Sequence, residues 1–307
     1  MPRRILMTGA AGFVGRHLSR TLRQAFPDAA IVPSRFDLAD FGAIDAELRE
    51  VRPDACVHLA AISAVGAARD DPDAAWRVNL HGTLGLAQAI LAHASACVLL
   101  FASTADAYGH SFHSGVAVDE AAALAPLNLY GATKAAADLA LGAMVGDGLR
   151  VLRVRAFNHT GPGQSADFVV PAFARQVARI AAGLQAPVLR VGALDPLRDF
   201  LDVRDVCVAY AACLARADEL PPGTILNIAS GVPRRIGDVL EELLALAGVR
   251  ADIATDRGRL RPSDIALAQG DPALARQLLG WSPQIAWRTT LQDVMADWTA
   301  RVTAEAG

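Results

Sequence analysis

The chain of 307 residues almost lacks lysine: of its 29 Lys+Arg residues, one is lysine, at position 134. Aromatics make up 6%, cysteines number four, and no apolar run approaches the ~20 residues needed to cross a bilayer. Positive charge is not in excess either, the net charge being −3 and the pI near 6.2. That balance argues against a general nucleic-acid binder. Cys56, Cys97, Cys207 and Cys213 show no metal-like pairing, and three of them fall in apolar strand or helix patterns. They read as buried free thiols in a reducing compartment, neither a disulfide framework nor a metal site. The start, Met1 through Gly9, runs into a strand-and-turn pattern without a signal-peptide hydrophobic region, so a cytoplasmic protein with no membrane or nucleic-acid partner is expected. No internal repeat or low-complexity tract stands out.

What is present is an alternation of short β-rich runs and helical stretches. Arg4–Thr8, Ala30–Val32, Cys56–Leu59, Val98–Ala102 and Val151–Val154 read as strands, with helical patterns between them. Such alternation predicts an α/β fold, a doubly wound parallel sheet with helices on both faces. After Phe157 a Gly/Pro-rich loop, Asn158–Gln164, precedes a helix at about Pro171–Ala182, a strand at Val188–Val191, a helix at Asp205–Arg216 and a core strand at Ile225–Ile228. Helix Ile236–Ala247, a strand near Asp252 and a helix around Leu291–Val302 complete the chain. This pattern predicts a nucleotide-binding domain of residues 1–160 plus about 200–229. A smaller, discontinuous substrate domain would comprise about 161–199 and 230–307. Trp281, Trp287 and Trp298 read as packing for that second unit.

The first strand ends in Gly9-Ala-Ala-Gly12-Phe13-Val14-Gly15, which opens a helix. Glycines there let the backbone approach a pyrophosphate, and the helix start offers unpaired N–H groups and partial positive charge. The second strand ends at Ser34-Arg35, where a site for NAD would place an acid against the ribose 2′-hydroxyl. A hydroxyl and a guanidinium instead suit a 2′-phosphate, so NADP(H) is favoured and NAD(H) is the alternative. Asp37 and Leu38 are placed for the adenine edge, and Leu59, Ala60 and Ala61 follow the third strand beside the pyrophosphate. Asn79 is a helical polar residue that needs a partner if buried.

Lys134 follows Tyr130 by four residues. On a helix that spacing puts phenol and ammonium on one face, where the charge favours the phenolate and serves proton transfer. A helix-surface pair without chemistry is the bland alternative.

Taken together, Gly9/Gly12/Gly15, His58-Leu-Ala-Ala61, Ser103-Thr104-Ala-Asp106-Ala-Tyr108-Gly109 and Tyr130-x-x-x-Lys134 resemble, along the whole chain, the extended short-chain dehydrogenase/reductase family of nucleotide-sugar enzymes. The second half is most similar to reductases of GDP-linked 4-keto-6-deoxyhexoses. It carries Phe157-Asn-His-Thr-Gly-Pro-Gly-Gln164, Asp167-Phe-Val-Val170, Arg198-Asp-Phe-Leu-Asp-Val-Arg-Asp205 and Arg261-Pro-Ser-Asp264. The resemblance implies that Tyr130 is the acid/base, that Lys134 holds the nicotinamide ribose and depresses the phenol pKa, and that Thr104 hydrogen-bonds the reacting oxygen. It implies that Arg198 and Arg261 clamp the diphosphate, that Asn158 and Asp264 touch sugar and ribose, and that Phe168 and Val169 border the base. Asp106 stands where dehydratases of the family carry a catalytic Glu; it binds a sugar hydroxyl or retains base function. A 4,6-dehydratase or 4-epimerase is therefore the competing expectation, while the intact Thr104/Tyr130/Lys134 set argues against a silent cofactor-sensing protein. The alanine-rich helices near 74–92 and 130–144 correspond to those that pair as a four-helix bundle in the family, so a homodimer is expected.

Overall fold

The computed structural model describes residues 1–256, 258 and 265–306. The first half alternates strand and helix: β1 (Arg4–Thr8), α1 (Phe13–Ala25), β2 (Ala30–Pro33), α2 (Phe41–Val51), β3 (Ala55–His58), α3 (Val65–Asp70), α4 (Pro72–Trp76) and α5 (Thr83–His93). Between α4 and α5, Arg77–Gly82 winds as a wider π turn, so the long helix expected here is interrupted. Then come β4 (Val98–Thr104), α6 (Leu129–Ala143), β5 (Arg150–Ala156), β6 (Asn158–Thr160), α7 (Val169–Ala181), β7 (Val188–Val191), β8 (Leu197–Asp202), α8 (Val203–Ala215) and β9 (Ile225–Ile228). The chain continues through β10 (Pro233–Arg235), α9 (Ile236–Ala247), β11 (Asp252–Thr255), β12 (Leu267–Ala268), α10 (Ala273–Leu279) and α11 (Trp287–Ala306).

Six strands form one parallel sheet in the order β2-β1-β3-β4-β5-β9, a Rossmann-type arrangement. The apolar runs seen in the sequence are strands covered on both faces. In β1, Ile5 and Met7 pack toward Leu18, Leu22, Val206 and Tyr210 of α1 and α8, while Leu6 packs on the opposite side with Ile44, Leu48 and Ile90. The chain leaves β1 for β2 on one side and returns to β3 on the other, so the strand order reverses between β1 and β3. That is where a doubly wound sheet opens a crevice at its C-terminal edge.

A second core lies where α7, α9 and α11 meet: Phe173, Val177, Leu240, Leu243, Leu291, Val294 and Trp298 pack with Leu189 and Val191 of β7. The segment expected as a loop at Asn158–Gln164 begins with β6, which pairs in parallel with β8. Neither strand has an apolar alternation to announce it. Asp199 of β8 is buried nonetheless, because it accepts hydrogen bonds from Ser230 N–H and Oγ and from Gly231 N–H at 2.5–2.9 Å. Trp281 departs from expectation: it packs in the core of the large sheet, donating Nε1–H to the Asp205 carbonyl at 3.0 Å. Trp298 does join the second core, and Trp287 stacks on Phe200 beside it. All four cysteines are buried and free.

A charge cluster is buried under the sheet. Asp138 of α6 is fully buried and accepts from Arg155 Nε and Nη2 at 3.1 and 3.0 Å, and from Arg153 Nη1 at 3.2 Å. Arg155 also donates to Tyr108 Oη at 3.0 Å and to the Glu120 carbonyl at 3.1 Å. Removing the carboxylate would strand two guanidinium groups, one of them in a dry interior. Asp138→Asn is expected to cost about 3–5 kcal/mol, measured as a lowered urea midpoint with unchanged slope. A loss within the ~1 kcal/mol of an exposed pair would show that the cluster is solvated.

Candidate active site

The first turn of α1 carries no side-chain cap: Gly12, at its N-terminus, has none to offer, and the N–H groups of Phe13 and Val14 open the helix beyond it. An anion is the natural partner for such an end. Gly9 takes φ +70°, and a Cβ there would sit 2.8 Å from the Ala60 nitrogen, so the turn presses directly on the chain leaving β3. At Gly15 a Cβ would collide with the Gly9 carbonyl. The residues present fit a dinucleotide pyrophosphate.

Below this turn runs a chain of buried hydrogen bonds that the sequence did not announce. Thr8 Oγ1 accepts from the N–H groups of Leu59 and Ala60 at 3.1 Å each and bonds His58 Nδ1 at 2.7 Å. His58 Nε2 meets Thr83 Oγ1 at 2.9 Å, and Thr83 donates to the Asn79 carbonyl at 2.8 Å. A carbonyl can only accept, so Thr83 has spent its proton and His58 must donate through Nε2 and accept at Nδ1. The imidazole is therefore neutral; burial, with the Lys134 charge adding to it, pulls its pKa down to about 3. Asn79 lies in the π turn and finds its partners there: it accepts from Ile62 N–H at 2.8 Å and donates to the Ile62 carbonyl and to Thr133 Oγ1 at 3.1 and 3.0 Å. It thus pins the segment containing Ala61 to the helix that carries Lys134.

Thr104 ends β4, and α6 brings Tyr130 and Lys134 to the same edge. The helix is started by Asn128, whose Oδ1 caps Gly131 N–H at 2.8 Å. The Thr104 hydroxyl lies close enough to the Tyr130 phenol to act on its protonation. Burial and the nearby Asp106 charge push the phenol pKa up, and the neighbouring Thr104 hydroxyl opposes them. The i, i+4 spacing alone predicts a phenol lowered by its lysine, and the structure reverses that direction. In the structure the Lys134 ammonium lies 4.0 Å above the Phe101 ring, and burial draws its own pKa down to about 7 against the pull of Asp138.

Asp106 lies beside these groups. The Asn128 amide donates to it at 3.3 Å, and its backbone N–H donates to Thr104 Oγ1 at 3.2 Å. Its charge also bears on Arg198, whose pKa burial lowers and Asp106 raises. The acids next to Arg198 in sequence are engaged elsewhere, Asp195 with Arg235 at 2.7 Å and Asp199 with Ser230 and Gly231. Thr104, Asp106, Tyr130 and Arg198 therefore lie near one another, and Lys134 follows Tyr130 by one turn of α6. Asn128 belongs with them, and its signal was an N-cap residue two positions before the tyrosine.

The remaining predicted residues are more dispersed. Ser34 and Arg35 follow β2, and the Arg35 guanidinium turns to Glu47 and Glu50 of α2 at 3.6 and 2.9 Å. Asp37 is exposed, with Oδ1 accepting from Ala39 N–H at 2.9 Å, and Leu38 is buried against Gly82 of the π turn. Asn158 is exposed on β6, while Phe168 and Val169 form the uncapped start of α7. Arg261 and Asp264 lie outside the described residues. Among the described residues no helix is long and apolar enough to cross a membrane.

Residues 28–294 match the GDP-mannose 4,6 dehydratase family. The chain is 37% identical to a GDP-6-deoxy-D-mannose reductase from Pseudomonas aeruginosa, over 99% of its own length and 100% of that protein's. It superposes on the solved structure of RMD from P. aeruginosa, complexed with NADPH, with a TM-score of 0.89, 36% identity and coverage of 97% and 99%. A Thermus thermophilus UDP-glucose 4-epimerase complexed with NAD matches at a TM-score of 0.81 and 27% identity, covering 96% and 98%. A nicotinamide dinucleotide is the cofactor class that this pocket serves.

The Lys134 pKa sets a pH dependence. The ammonium is present below about 7 and is lost as pH rises through that value. Affinity of the free protein for NADPH or NADH, followed by fluorescence titration, is expected to fall roughly tenfold one to two units above it. In Lys134→Met affinity is expected to be low and flat across the same range; a flat profile in the parent protein would remove Lys134 from cofactor binding.

Proposed function

The chain belongs to the extended short-chain dehydrogenase/reductase family of nucleotide-sugar enzymes, and on that premise we propose that it reduces the C4 ketone of GDP-4-keto-6-deoxy-D-mannose to give GDP-D-rhamnose. The observation that carries this reading is the placing of the Thr104 hydroxyl beside the Tyr130 phenol at the sheet edge, with Tyr130 held in its neutral form. A ketone reduction consumes a proton at the oxygen, and a phenol whose pKa is raised still carries that proton at neutral pH. Thr104 fixes the direction in which Tyr130 delivers it. Lys134 holds the ribose hydroxyls, so that the reactive face meets C4 at a fixed approach. Bound there, the reduced nicotinamide supplies the hydride. The nucleotide diphosphate is assigned to Arg198 and Arg261, the sugar to Asn158 and the base to Phe168 and Val169, with Asp264 on a ribose hydroxyl.

NADP(H) is the preferred dinucleotide in this reading, because Ser34 and Arg35 stand where an acid would select NAD. The chain is also assigned a homodimeric state. Helix α6 leaves Leu139 59% exposed, in line with Ala132, Ala136 and Ala143 at helical spacing, which is a surface for packing a second copy through a four-helix bundle.

A 4,6-dehydratase or 4-epimerase with a tightly held cofactor is favoured by one feature, the carboxylate of Asp106 two residues beyond Thr104. Against it, Asp106 is shorter than the Glu of the dehydratases, takes a hydrogen bond from the Asn128 amide and lies in the field of Arg198, which suits holding a hydroxyl better than removing a carbon-bound proton. The test follows absorbance at 340 nm with NADPH and enzymatically prepared GDP-4-keto-6-deoxymannose. Stoichiometric NADPH loss is expected, reduced about 10²–10⁴-fold in Tyr130→Phe and no more than about tenfold in Asp106→Asn. NMR of the product then distinguishes rhamnose from its C4 epimer, 6-deoxytalose. Conversion of GDP-mannose to the 4-keto sugar without net NADPH loss, abolished in Asp106→Asn, would replace the reductase by a dehydratase.

A further inference from the structure

Arg35 is the residue to which the ribose 2′-phosphate has been assigned, yet its guanidinium is already spoken for. Nη2 pairs with Glu50 Oε2 at 2.9 Å, and Nε lies 3.6 Å from Glu47 Oε1. The backbone N–H of the same residue donates to both oxygens of Glu47 at 3.0 and 3.3 Å. Glu47 is only 5% exposed, so it is a fixed anchor, whereas Arg35 and Glu50 have side chains 66% and 69% exposed and can exchange partners. Arg35, Phe36, Ala43, Ala46, Glu47 and Glu50 line a cleft of about 240 Å³ that opens between this loop and α2. The guanidinium leans into that cleft, toward the helix.

We propose that Glu47 and Glu50 temper the dinucleotide preference that Ser34 and Arg35 give this chain, by holding Arg35 against α2 so that a 2′-phosphate must displace Glu50 to reach the guanidinium. The inference rests on the ribose-site assignment made under Proposed function and goes beyond it. Glu47 anchors the backbone and keeps Arg35 at the mouth of the pocket. Glu50 is the competitor. A cofactor with a free 2′-hydroxyl does not need Arg35 and meets no such competition, so the acid pair narrows the gap between the phosphorylated and unphosphorylated dinucleotides.

The probes are 2′,5′-ADP and 5′-AMP, which differ in the 2′-phosphate and carry no nicotinamide; their dissociation constants are measured by calorimetry at fixed ionic strength. Glu50→Gln removes an exposed charge and leaves the buried Glu47 in place. It is expected to tighten 2′,5′-ADP about two- to fivefold, the range of an exposed ion pair, and to leave 5′-AMP unchanged. Arg35→Ala is expected to weaken 2′,5′-ADP by about tenfold or more, as loss of a charge-assisted phosphate contact should. In Arg35→Ala/Glu50→Gln the gain from Glu50→Gln is expected to vanish, because it acts through Arg35. The same order should appear in the NADPH-to-NADH ratio of kcat/KM. No tightening in Glu50→Gln, or equal tightening with and without Arg35, would overturn the clamp and leave the ribose site standing. Unchanged discrimination in Arg35→Ala would overturn the ribose-site assignment and the clamp with it.

Discussion

Burying a carboxylate under the central sheet is the constraint from which much of this architecture follows. Asp138 sits one helical turn beyond Lys134, itself one turn beyond Tyr130, so a single stripe of α6 carries phenol, ammonium and carboxylate in order. The ammonium needs a counter-charge to remain protonated in a dry setting, and Asp138 supplies it. That carboxylate would be untenable alone, and two arginines of β5 neutralise it. Arg155 then needs acceptors for its remaining protons and finds Tyr108 and the Glu120 carbonyl. Tyr108 passes its own proton to Asn227 of β9 at 2.7 Å, and Asn227 closes on the Val118 carbonyl at 3.0 Å. A demand raised at the active site is thus met four elements away, and the segment after Thr104 is held in place by the answer.

The opposite side of the pocket is organised by a neutral device. The Thr8–His58–Thr83–Asn79 chain bridges β1 and β3 at the point where the strand order reverses, and each proton in it has one direction. A charged imidazole would break that order, and burial beside Lys134 prevents it. The π turn has a physical reason here. Widening the helix at Arg77–Gly82 lets Asn79 present its side chain to Ile62 and Thr133 while its carbonyl takes the Thr83 proton. Both walls of the pocket, one charged and one neutral, converge on α6.

How far the sequence could be read depended on whether a residue's role was local. The strands of the large sheet were legible because their apolar runs are continuous, and the helix starts because glycine and small polar residues punctuate them. Beyond Phe157 legibility fell: β6 is three polar residues, β8 carries charges in place of an alternation, and Asp199 is buried only because Ser230 and Gly231, some thirty residues on, offer it hydrogen bonds. The Tyr130/Lys134 pair could be found from spacing, whereas its environment could not. The phenol's raised pKa depends on Asp106 and on depth, and the fate of Arg35 depends on two acids of a different element. Pairings of this kind leave no periodic trace.

The scarcity of lysine finds its explanation in the same terms. Guanidinium keeps its charge under almost any burial and forks toward carboxylates, which suits Arg155 and Arg153 as permanent counter-charges to Asp138. An ammonium is smaller, and burial can bring its pKa within reach of neutrality, as it does for Lys134. Placed at position 134, an arginine would stay charged at every working pH and would set a broad planar fork over Phe101 where the chain has a compact ammonium. The chain therefore sets arginine where a fixed counter-charge is buried and has lysine at the single position where burial makes the cation titratable.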